Sequence, residues 1–125
     1  MRPSTESDLV DEVYDFPGLW DTPSRCGLKI VEKGGSWVVI ATELYDVNPG
    51  TSVTQFAARL ATRICAERGI PHDRLIFVEH CPDRGSRLEF YDETFDRVTF
   101  DSDGTDLVSP QWSRLSREEL EDLIR

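Results

Sequence analysis

Lysine is scarce in this chain. Lys29 and Lys33 are the only two, and twelve arginines bring the basic residues to 14 against 24 acidic ones. A net charge of −10 repels phosphate backbones and anionic headgroups, so generic nucleic-acid and membrane-surface binding are not expected. Long apolar runs are missing too. No stretch approaches the roughly 20 residues that span a bilayer, so no membrane helix is predicted. Residues 1–12 are acidic and polar and lack the charged-then-apolar layout of a secretion leader. Cysteine is sparse and odd in number. Cys26, Cys65 and Cys81 form no close pair, which excludes a disulfide framework and the paired spacing of zinc sites. Reduced thiols and a cytoplasmic location follow as expectations, with no metal and no cofactor.

What is present is enough for one core. A chain of 125 residues reads as a single domain, 1–125, that needs no disulfide or metal to fold. Its clearest element is a helix from Ser52 to Gly69. Val53, Phe56, Ala57, Leu60, Ala61, Ile64 and Cys65 repeat at helical spacing and form one buried stripe. Thr54, Gln55, Arg59, Thr62, Arg63 and Glu67 occupy the opposite face. Ser52 with Gln55 is a capping box, Gly69 supplies the left-handed stop, and Pro71 forbids continuation.

Ahead of this helix, residues 1–8 are expected to be mobile and 9–24 to form an N-terminal arm or lid. Leu9, Val10, Val13 and Phe16 share one face of a short amphipathic piece, broken by Pro17-Gly18, and Leu19-Trp20 is an apolar plug. Leu28–Lys33 and Ser36–Leu44 are strands joined by Gly34-Gly35, a two-residue hairpin signal. Pairing Lys33 with Ser36 puts Leu28, Ile30, Val39 and Ala41 on one face and Val31, Val38 and Ile40 on the other. Both faces are apolar, so the long helix must cover one, and the N-terminal segment or a C-terminal helix the other.

Beyond the helix, Leu75–Cys81 reads as a central strand, with the unbroken apolar run Leu75-Ile76-Phe77-Val78. Arg87–Tyr91 and Arg97–Asp101 read as a closing hairpin around 92–96, and Asp101–Gly104 as a loop. Ser116 with Glu119 repeats the capping box and opens a helix with Leu120, Leu123 and Ile124 on its apolar side. The predicted fold is α+β in two layers, β-β-α-β-β-β-α. It has five mostly antiparallel strands in the order 2-1-3-4-5, the long helix across one face and a short C-terminal helix.

This topology gathers chemistry-bearing residues at one end of the sheet. Strands two and three end there and the long helix begins there. The gathering comprises Glu43, Tyr45, Asp46, Glu79, His80 and Cys81, the helix start at Thr51 and Ser52, and Arg84 and Arg87 on the turn beyond. Glu79, His80 and Cys81 alternate faces and cannot all hold one metal, and His80 and Cys81 cannot form a nucleophile pair. Glu43 beside His80 would form an acid–base pair, with the carboxylate favouring the charged imidazole. The 50–52 approach to the helix resembles a generic anion cradle but lacks the lysine and repeated glycines of a phosphate loop. Arg59, Arg63 and Arg68 form a small basic strip, with Arg63 paired to Glu67. Trp112 either closes a core or anchors a partner.

Two function classes follow. The first is a small acidic intracellular protein-binding or regulatory domain, meeting a protein partner or a second copy of itself. The second is a small-molecule binder or enzyme using the cluster around His80. The absence of a nucleophile or base with an orienting partner favours the first.

Overall fold

The computed structural model describes residues 9–17, 23–44, 56–82 and 92–125. The residues of the Ser52–Gln55 capping box, the Leu19-Trp20 plug, the predicted strand Arg87–Tyr91, and the segment 1–8 lie outside them. Among the described residues six strands form one sheet: β1 (Glu12–Pro17), β2 (Pro23–Lys33), β3 (Ser36–Glu43), β4 (Leu75–Cys81), β5 (Thr94–Ser102) and β6 (Leu107–Leu115). Helix α1 (Ala57–Arg68) links β3 to β4, and α2 (Arg117–Ile124) closes the chain. The fold is α+β, with a mostly antiparallel sheet whose one parallel pair is β3–β4.

The strands lie in chain order, β1 to β6, rather than in the predicted 2-1-3-4-5. The strand expected between its two neighbours, β2, instead has its outer edge taken by β1, pairing Tyr14 with Cys26 and Phe16 with Ser24. That leaves β3 to pair directly with β4 through the α1 crossover. The amphipathic piece Leu9–Phe16 thus forms an edge strand from Glu12 onward, and its apolar residues do not share one face. Tyr14 and Phe16 alternate inward from an edge strand while Val13 is 55% exposed.

The β2–β3 hairpin follows its sequence signal, with Lys33 opposite Ser36 and both turn glycines at positive φ. Above it, α1 lays Ala57, Leu60, Ala61, Ile64 and Cys65 on Leu28, Val39, Ala41 and Phe77. The helix stops at Gly69 (φ 68°), and the Ile70 amide donates to the Cys65 carbonyl at 3.0 Å. Its α-helical start is Ala57, capped by Phe56 without a side-chain hydrogen bond. Tyr14 donates its hydroxyl to Glu67 at 2.6 Å, and Arg68 pairs with Glu12, so two α1 side chains fasten β1.

The other face carries Val38, Ile40, Val78 and Phe95 under Leu120, with Leu123 and Ile124 beside them. Ser116 and Glu119 make the predicted capping box in both directions. The N-terminal segment covers the rest: Leu9 joins this cluster, and Val10 sits on Gly27, where a Cβ would come within 2.7 Å of its methyl carbon. Both covers named from the sequence are therefore in use.

The predicted closing hairpin is displaced along the chain. Residues 94–96 open β5, the turn is 103–106, and 107–115 form a sixth strand. Pairing of β5 with β6 slips by one residue between Thr99 and Asp101, beside Ser109, whose φ of 54° is left-handed. That bulge, followed by Pro110, sits on an outer strand. There a missing amide costs no ladder bond and polar side chains meet water.

Candidate functional site

The sheet end named from the sequence is a buried polar region, and the sheet divides it in two. Thr42 pairs with His80 across β3–β4, so these two share a face with Phe95. Glu43, Glu79 and Cys81 take the opposite one, toward α1. The expected Glu43–His80 pair is thereby corrected: adjacent positions in register point to opposite faces.

On the α2 side, His80 is fully buried. Its Nδ1 lies 3.0 Å from Thr42 Oγ1 and its Nε2 lies 2.7 Å from Glu93 Oε2. A carboxylate only accepts, so Nε2 carries a hydrogen, and in the neutral ring the Thr42 hydroxyl donates to Nδ1. The ring stacks on Phe95, centroids 4.8 Å apart and planes 7° from parallel. Arg117, the first residue of α2, holds its guanidinium 5.7 Å from the Phe95 ring centre, on its way to the second oxygen of Glu93. Arg117 Nη1 is 3.6 Å from Glu93 Oε1, and Nε is 3.3 Å from Glu121 Oε2. Thr42, His80, Glu93 and Arg117 therefore run as one chain from the sheet interior to α2.

On the α1 side, Glu79 and Glu43 are buried carboxylates, and Trp112 Nε1 donates to Glu79 Oε2 at 3.3 Å. Burial, then the Glu43 and Glu79 charges, push the Cys81 thiol up to about 12, with Thr94 opposing through a hydrogen bond. A thiol held in that state is a poor nucleophile. Cys26 and Cys65 are pushed up by burial to about 12 and about 11. All three cysteines are free. Among the described residues no group of three or more His, Cys, Asp and Glu side chains is placed to hold a metal ion. No described helix is long and apolar enough to cross a membrane.

The structure thus brings Glu43 and Glu79 to one side and His80 to the other. Thr51, Ser52, Arg84 and Arg87, with Tyr45 and Asp46, lie outside the described residues. Sequence reasoning missed Thr42 and Glu93. Thr42 becomes identifiable once β3 and β4 are known to be in register. Glu93 was read as a turn residue, although its two-residue spacing to Phe95 is that of one strand face. No protein family, no curated protein and no solved structure matches the chain.

Proposed function

We propose that the protein is a small acidic protein-binding or regulatory domain rather than an enzyme centred on His80. The observation that carries this reading is the state of His80. Its ring is excluded from solvent, stacked on Phe95, and has a partner at each nitrogen. A general base must reach a substrate proton, and this imidazole is spent inside the fold.

Trp112 supports a binding role. It lies on the outer strand β6, is 40% exposed, and is held through its indole nitrogen by Glu79. A tryptophan fixed at one end and open at the other is a frequent interface anchor. The bulge and Pro110 spoil the first half of β6 for strand addition, so side chains around Trp112 make the contact. With a net charge of −10 the complementary partner is a basic protein surface inside the cell, and nucleic acid is disfavoured.

The test is capture from the native host's extract at physiological salt, with wild-type and Trp112→Ala baits. The expected result is a basic protein retained by the wild type, lost from the variant, and released by raised salt. Retention that ignores both the substitution and the salt overturns the reading.

A further inference from the structure

An open sheet has two outer edges, and here they are built differently. β1 is guarded: Glu12 and Asp15 charge it, and Pro17 ends it. β6 is guarded only in its first half, by the bulge at Ser109 and by Pro110. Its second half, 111–115, keeps regular register with 95–99, and residues 111–114 are exposed. The helices lead away from this rim. α1 meets β6 at Leu107, whose amide donates to the Thr62 hydroxyl, and α2 crosses toward the β2–β3 hairpin, where Lys33 donates to the Asp122 carbonyl. In a chain with 24 acidic residues, 107–117 has none and carries Arg114 and Arg117.

This short edge is complementary to itself. When two copies pair antiparallel about a two-fold axis, each face of one sheet continues as the same face of the other, so the axis must pass at a residue. An axis at Arg114 opposes two arginines. One at Trp112 sets Arg114 against Pro110 and leaves Leu115 unmatched. An axis at Ser113 uses all five residues: Ser113 meets its own copy, Gln111 meets Leu115, and Trp112 meets Arg114 twice. Trp112 and Arg114 share the α1 face, fixed there by hydrogen bonds to Glu79 and to Asp96. The Arg114 side chain is still 66% exposed, so its guanidinium can lie on the indole of the other copy. No like charges face each other in this register.

We propose that two copies of the chain join β6 to β6 about Ser113, making one continuous sheet. Five residues from each copy fall short of a standard interface, and two acidic chains repel, so the dissociation constant is on the order of 0.1 mM. The pairing lies in the plane of the sheet and leaves the α1-side surface of both copies open. It therefore does not rest on capture of a basic partner.

The test is sedimentation velocity of the full chain from about 10 µM to about 1 mM at physiological salt, a range that brackets this constant. The wild type is expected to pass from monomer to dimer. Ser113→Lys sets two like charges opposite one another and should weaken association at least about fivefold, while Val13→Lys on the β1 edge leaves it unchanged. Cysteine substitutions read the register. Opposed residues of an antiparallel pair have Cα atoms about 4.5–5.5 Å apart, within disulfide reach. Residue 111 would lie roughly 14 Å along the strand from its own copy. Under mild oxidation Ser113→Cys should give a disulfide-linked dimer, and Gln111→Cys should not, nor should the wild type with its buried or half-buried thiols. The proposal is overturned if the chain stays monomeric throughout, if Ser113→Lys associates as well as the wild type, if Val13→Lys is the change that disrupts, or if Gln111→Cys cross-links as readily as Ser113→Cys. A monomer that still retains a basic protein through Trp112 would sink the dimer alone.

Discussion

On one side of the sheet the twelve-residue α1 covers Leu28, Val39, Ala41 and Phe77, and all three thiols belong to that side. On the other, the eight-residue α2 shares the work with Leu9 and Val10, over Val38, Ile40 and Val78. Six strands about 4.8 Å apart put the edges roughly 24 Å from one another. At 1.5 Å per residue α1 is about 18 Å long and α2 about 12 Å. Neither helix reaches from edge to edge, and the shorter one falls further short. That face completes its cover with a strap of chain at one edge and with the Thr42–His80–Glu93–Arg117 series at the end. The narrow cover leaves its end to a polar series, while the broad one buries an apolar stripe and, at its own end, the Glu43 and Glu79 carboxylates.

The largest expected effect separates the faces by pH. Cys26, Cys65 and Cys81 all titrate well above the ordinary thiol value of 9.0 in the folded chain, and burial with the Glu67 carboxylate also raises Tyr14. A raised thiol contributes stability that is fully present below the unfolded pKa and is lost as pH rises through the folded one. Urea midpoints should therefore be level from pH 7 to about 8 and fall steeply from about 9 upward, as up to three thiols begin to ionise in the unfolded chain. All these groups sit on the α1 face. A midpoint that is unchanged at pH 11 would show that they are not held neutral.

Leu60→Ala comes next. It hollows the centre of the α1 face and should cost about 2–5 kcal/mol by chemical denaturation, while Arg59→Ala on the solvent side stays within about 0.5 kcal/mol. Equal costs would mean that α1 presents a different face to the sheet.

A smaller effect sharpens the account of the α2 face. Gly27→Ala drives a Cβ into Val10 and should cost about 1–3 kcal/mol as the strap shifts. Pairing it with Val10→Ala should recover part of that loss, since the two sites are in contact. Two costs that simply add would remove the strap from the account.

Much of this architecture is legible in the residues, and the failures have local causes. Gly34-Gly35, the α1 stripe, the run 75–78 and the Ser116–Glu119 box each specify one conformation, and the structure adopts each of them. The segment Leu9–Phe16 satisfies two periods at once. Strand pairing with β2 buries Tyr14 and Phe16 and leaves Val13 outside, so the shared face expected for Leu9, Val10, Val13 and Phe16 does not form. Residues 107–115 carry Pro110 and four consecutive exposed positions from Gln111 to Arg114, a pattern without strand alternation that only an edge tolerates. The location of the polar end was readable from Glu43, Glu79 and His80, but its partners were not. Which side Glu43 faces relative to His80 depends on a single residue of β3–β4 register, and parallel register leaves no mark in either strand alone.

Strand order identical to chain order also bears on how the molecule assembles. β1–β3 and β4–β6 are each an antiparallel meander, closed by short-range contacts that form quickly. The seam between them, β3 against β4, is the one pairing that must wait for α1 to bring distant segments together. The described sheet is thus two antiparallel halves joined along a single parallel line, and closure of that line is the expected slow step of folding.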